Sequence, residues 1–236
     1  AVKEGEHLIL LATDNSGKIV AYITFEIKTD NIKAPNAKFL MPTVNYSEPE
    51  PGSIENSTKF DFLNLDNVDG ATKWMYKVGN SSFGYIELDS TVEGASEYID
   101  VGTNIKPVKD GQYLLLLATD KDGNVKAYRE FRLNIDQIRG SDAKKLEIGK
   151  HYSISPGTLA GTSKLTDLGF WGIEGASRWK VKVMETEPAV KPYTNSIVDG
   201  AYFYNEGQNI QVLKGQYILL LATDTNSRTK AYGVIT

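Results

Sequence analysis

The chain has 236 residues, 41% hydrophobic and 24% charged, with a formal net charge of -4 and no cysteine, enough apolar material for one large core or two cores of about 100 residues. Without cysteine there is no disulfide framework, thiolate metal site or thiol nucleophile, and the interspersed Lys and Asp/Glu form no basic stripe that would suit nucleic acid. No apolar stretch approaches the ~18 residues that cross a bilayer, which argues against membrane insertion.

The first element is a hairpin, and the chain carries it three times. The copies read GEHLILLATDNSGKIVAY from Gly5 to Tyr22, GQYLLLLATDKDGNVKAY from Gly111 to Tyr128, and GQYILLLATDTNSRTKAY from Gly215 to Tyr232. A unit of about 105 residues therefore recurs, and this outweighs any local signal. Each copy has a strand that is apolar on both faces, as expected of a central strand. A polar loop follows, then a strand with period-2 alternation in which Ala21, Ile23, Phe25 and Ile27 share one face. The first copy stands without the rest of a unit before it, so residues 1–33 read as the terminal hairpin of a preceding module plus its connector. No signal-peptide pattern follows Ala1, so the chain reads as mature or as a fragment.

Lys28 to Lys38 is matched by Asn134 to Lys144, with Asp30 against Asp136 and Ile32 against Ile138. Conserved spacing without Gly/Ser composition predicts a defined connector that fixes the angle between modules. Opening strands with proline punctuation follow at Pro42 to Gly52 and Ile148 to Gly157. Second strands are expected at Thr58 to Leu65 and Ser163 to Phe170. Next comes the clearest alternation of the unit: Trp74, Tyr76 and Val78 share a face, as do Trp179, Val181 and Val183, with a largely cationic face opposite. Weaker strands fill Gly84 to Leu88, Glu97 to Val101 and Asn104 to Val108, matched loosely by Tyr193 to Val198, Ala201 to Tyr204 and Asn209 to Leu213. About seven short strands per 100 residues, and no helical period, predict an all-β chain of tandem antiparallel β-sandwiches. The complete modules are expected at 34–139 and 140–236.

The proline-rich first strand, Trp-bearing third strand and closing hairpin of the type YLLLLATDKDGNVKAY resemble an immunoglobulin-like or fibronectin type III-like module. Tandem modules of this kind, rich in Lys and poor in Arg and Cys, are similar to those of surface-layer and other cell-surface proteins of Gram-positive bacteria. The resemblance covers residues 34 to 236 plus the first hairpin. It implies an extracellular protein, secreted or on the bacterial cell surface, with a structural role as spacer, lattice or adhesive surface. The implied partners are neighbouring modules, other copies of the chain or an extracellular glycan. The chain departs from the pattern in lacking an inter-sheet Cys pair and a surface-layer-homology anchoring motif.

Candidate chemistry is sparse. His7 takes the slot of Tyr113 and Tyr217, so it reads as packing, and His151 beside Tyr152 has no catalytic neighbour at useful spacing. Asp120, Asp122 and Asn124 suggest a calcium loop, but the other copies replace Asp122 with Ser16 or Asn226 and Asn124 with Lys18 or Arg228. A turn survives those changes and a cation site does not, so no metal or cofactor is expected. Neither Glu48 and Glu50 nor Glu185 and Glu187 form a carboxylate pair across a cleft, and no catalytic motif occurs. The chain reads as a non-enzyme. Trp74 and Trp179 recur and read as core, whereas the counterpart of Trp171 is Asp66. Trp171, Tyr193, Tyr202 and Tyr204 are therefore the candidate ligand contacts, and a carbohydrate-binding or accessory module of a secreted glycan-active enzyme is the alternative reading. The central hairpin strand needs an outer cover, expected from Lys stems of the neighbouring strand or from an adjoining module.

Overall fold

A computed structural model describes residues 2–28 and 32–236. Among them the chain forms seventeen strands and one 3-10 turn at Ile135–Gln137. The first hairpin, β1 (His7–Thr13) and β2 (Ile19–Glu26), is a two-stranded sheet of its own.

Next come β3 (Lys38–Phe39), β4 (Glu50–Pro51), β5 (Thr58–Lys59), β6 (Lys73–Gly79), β7 (Ser96–Tyr98), β8 (Tyr113–Thr119) and β9 (Val125–Arg132). One sheet runs β3-β9-β8-β6-β7, and the facing layer pairs β4 with β5, which bridges to Ile105. The pattern repeats with β10 (Lys144–Lys145), β11 (Ser153–Pro156), β12 (Thr162–Thr166), β13 (Arg178–Met184), β14 (Tyr202–Phe203), β15 (Ile210–Gln211), β16 (Tyr217–Thr223) and β17 (Thr229–Ile235). There the sheets run β10-β17-β16-β13-β14 and β11-β12-β15. The result is two β-sandwiches in tandem. Pairing is antiparallel except where β3 and β10 lie parallel to β9 and β17.

Each sandwich has its own core. In the first, Leu114, Leu116 and Ala118 of β8 meet Trp74, Tyr46 and Phe60, and in the second, Ile218, Leu220 and Ala222 of β16 meet Trp179, Val181 and Leu165. Alternate residues of the central strand face the other way and are just as buried: Leu115 is 0% and Leu117 1% exposed. Their cover is the weakly patterned middle of the same repeat, where Phe83, Ile86, Leu88, Val92 and Ala95 pack on Leu115 and Leu117. Val198 and Ala201 do this for Leu219 and Leu221. The expected Lys stems act as pins rather than as the cover: the Lys77 ammonium donates to Glu93 O at 2.6 Å and that of Lys182 to Asp199 O at 2.7 Å. Residues 84–88 form no strand, because they lie across the sheet face and contribute only the isolated Asn36–Glu87 bridge.

The three hairpins share one register, with the bulge after the alanine in each: Ala12/Thr13, Ala118/Thr119 and Ala222/Thr223. Yet every residue of β1 and β2 is exposed, including Leu10 at 61% and Tyr22 at 72%. Apolar residues on both faces of β1 lead to the expectation that this hairpin, residues 1–27, docks onto another sheet, in its own chain or a neighbour. Among the described residues it pairs with no further strand.

Candidate functional site

Trp171 lies in a turn that two features hold in shape. His151, 0% exposed, accepts the Glu147 N–H on Nδ1 at 2.9 Å and faces Trp171 O from Nε2 at 3.1 Å. A carbonyl only accepts and an amide N–H only donates, so the ring carries its proton on Nε2. The second feature is Gly169: a Cβ there would lie 2.4 Å from Trp171 Nε1, so the indole rests on the glycine backbone. Trp171 itself is 72% exposed. In the first sandwich Asn45 does the work of the histidine: Oδ1 accepts Met41 N–H at 3.0 Å, and Nδ2 donates to Asn64 O and Asp66 O.

The structure separates the four aromatic candidates. Tyr204 is 4% exposed and belongs to the core; its hydroxyl accepts Leu165 N–H and donates to Gln208 O, both at 2.8 Å. Tyr98 does the same in the first sandwich, accepting Phe60 N–H and donating to Thr103 O. Tyr202 is 48% exposed on the edge strand β14, opposite Val181. Tyr193 is half-buried beneath Arg139, whose guanidinium lies 4.3 Å from the ring centroid. Burial raises the phenol pKa of all three. Among the described residues no ring contact joins any two of Trp171, Tyr193, Tyr202 and Tyr204.

What the second sandwich does assemble is a cleft of about 490 Å³ at the end of β13 and β14. Phe170 stacks on Trp179 at 4.5 Å with 9° between the rings. Phe203, 54% exposed, forms another wall, with the Arg178 guanidinium 5.3 Å and the Lys180 ammonium 5.1 Å from its centroid. Leu168, Ser177, Tyr204, Asn205 and Glu206 complete the lining, so of the four predicted contacts only the core residue Tyr204 borders this cleft. The sequence reading passed over Phe203, Asn205 and Glu206. The signal was present in the repeat: their counterparts are Glu97, Ile99 and Asp100, and Leu65 stands for Phe170.

The acidic loops are turns. Asp120 Oδ1 accepts the N–H groups of Asp122 and Asn124, and Oδ2 accepts the Asn124 amide at 2.9 Å. That amide and the backbone donors, with Lys126 at 3.1 Å, hold the carboxyl well below the usual range against the cost of burial. Asp14 and Asp224 make the same backbone bonds in their loops. Among the described residues no group of three or more His, Asp or Glu is arranged to hold a metal ion.

A second constellation joins the sandwiches. The 3-10 turn at Ile135–Gln137 is closed by a capping box between Asn134 and Gln137. It presents Asp136 to Arg228, whose Nε and Nη2 donate to the two carboxylate oxygens at 3.0 and 2.9 Å. Arg139, stacked on Tyr193, also bonds Asp142 at 2.9 Å. Its N–H donates to Ser57 O and its carbonyl accepts Asn56 N–H, tying the connector back to the first sandwich. Gly140 passes so close to Thr194 that a Cβ would lie 2.1 Å from its carbonyl oxygen. Asp30, the sequence counterpart of Asp136, lies outside the described residues.

The family described as S-layer protein SbsC C-terminal domain matches residues 50–136 and 155–236. Two solved structures of that protein are similar across this whole chain. The crystal structure of the S-layer protein SbsC, domains 7, 8 and 9, is 21% identical with a TM-score of 0.42, and the match spans 100% of this chain and 70% of that one. For the surface layer protein SbsC, domains 4-9, identity is 20% and the TM-score 0.44, and this chain spans 37% of its length. No curated protein sequence matches. With well over half of its residues matched, the chain belongs to the S-layer protein SbsC C-terminal domain family, and with it to the extracellular cell surface.

Proposed function

We propose that this chain is a rigid, non-catalytic structural segment of a bacterial surface layer, in which units 34–139 and 140–236 act as spacers that make lattice contacts with neighbouring units or other copies. The observation that carries this reading is the joint. Asp136 and Arg228 meet through two parallel hydrogen bonds, Arg139 binds both sandwiches, and Gly140 admits Thr194 at a distance no other residue allows. A flexible tether needs none of these contacts, and a spacer that must hold an angle needs them together. The duplicated residues serve packing and turns: Trp74 and Trp179 fill cores, and Asp120 and Asp224 close loops.

The absence of cysteine makes the test clean, because Lys121→Cys and Lys214→Cys give two unique labelling sites, one on each sandwich. Electron-spin distance measurement between them is expected to give a single narrow distribution, broadened by Arg228→Ala. A broad distribution in the parent protein would remove the spacer reading.

A further inference from the structure

We propose that the cleft at the end of β13 and β14 binds a pyranose ring of a polysaccharide. A pyranose has a C–H face that stacks on aromatic rings and a periphery of hydroxyls that both donate and accept. A site for it needs exposed ring surface beside unpaired polar groups of both kinds.

The cleft has these parts. Phe203 leaves more than half of its surface open on an edge strand, where the matching residue of the first sandwich is Glu97, so the fold itself needs no aromatic there. The stacked Phe170–Trp179 pair supplies the facing wall. Arg178 spends one N–H on Thr225 O at 3.2 Å and keeps its remaining donors. The Asn205 amide and the Glu206 carboxylate lie exposed at the rim and form no side-chain hydrogen bond or ion pair among the described residues, although the Asn205 backbone N–H is fixed by Gln208 at 2.8 Å. A carboxylate accepts from two adjacent hydroxyls, while guanidinium and amide donate to hydroxyl oxygens. A volume of about 490 Å³ suits one or two rings.

The first sandwich is an internal control. Leu65, Lys73, Glu97 and Ile99 stand at the matching places, so it keeps Trp74 in the place of Trp179 but lacks the stacked Phe170, the open Phe203 ring and the amide. The site is thus a property of one copy and stands independently of the spacer reading.

The test titrates the whole chain with maltohexaose, cellohexaose and chitohexaose while following the indole N–H signals. At least one sugar is expected to shift Trp179 and leave Trp74 unmoved. Phe203→Glu, which installs the first-sandwich residue, is expected to weaken binding about tenfold or more, and an unchanged Trp179 signal without sugar shows that the variant is folded. Glu206→Gln is expected to weaken binding while leaving the aromatic walls intact. The proposal is overturned if none of the three sugars shifts Trp179 up to about 10 mM, if Trp74 moves equally, or if Phe203→Glu binds as well as the parent.

Discussion

His151 offers a direct test of how the second sandwich holds its turns. Replacing it with alanine removes the acceptor for Glu147 N–H and the donor to Trp171 O, and opens a void where the ring is 0% exposed. An unsatisfied buried backbone group costs ~1–3 kcal/mol. Trp171 and Glu147 are both exposed residues, so water can replace part of each lost bond, and the void left by the buried ring carries the larger share of the cost. His151→Ala is therefore expected to lose about 2–4 kcal/mol. His151→Asn is expected to stay within ~1 kcal/mol of the parent, because Asn45 in the first sandwich already makes both kinds of bond from the same place. Urea unfolding followed at the Trp179 indole signal measures both variants. An asparagine as damaging as alanine, or an alanine that costs nothing, would refute the reasoning.

Tyr98→Phe and Tyr204→Phe should each destabilise their own sandwich by ~1–3 kcal/mol, since each strands a buried N–H, of Phe60 or Leu165; hydrogen exchange of those amides reads the effect. Gly140→Ala should open the joint, because its Cβ would meet Thr194 O, while leaving the urea midpoints of both sandwiches unchanged. Arg228→Ala should do the same with a penalty below ~1 kcal/mol, as the Asp136 side chain is 50% exposed. Asp120 has a depressed pKa in the folded state, so its contribution is present above the unfolded value of about 3.9 and is lost as pH falls through the folded one. Stability of the first sandwich measured below about pH 4 should therefore fall less steeply in Asp120→Asn than in the parent.

The strands that carry a long-range pattern were the readable ones. The hairpins announced β8, β9, β16 and β17 because a central strand must be apolar on both faces, and Trp74 and Trp179 announced β6 and β13 by alternation. The second layer was harder to place. β4 and β5 have two residues each, and the fold there rests on side-chain bonds such as Tyr98 to Phe60 N rather than on a ladder. The cover over Leu115 was invisible as such, since Phe83, Ile86, Leu88 and Val92 lie on irregular backbone with no period to detect.

Departure from the repeat singled out Trp171, and the indole is open to solvent. Tyr204 recurs as Tyr98, so the logic that assigned Trp179 to the core applied to it as well. Phe203 against Glu97 is a departure equal to Trp171 against Asp66, but it lies in the two-residue strand β14, where no period fixes the register of one copy on the other. Tyr193 departs from Glu87, and its ring serves the joint beneath Arg139.

Residual dipolar couplings across the whole chain test the central claim most directly, that two like sandwiches are held at one fixed angle. Couplings from β6, β8 and β9 and from β13, β16 and β17 are predicted to fit a single alignment tensor of common magnitude. Two tensors of different magnitude would mean that the sandwiches tumble separately, and would contradict the account.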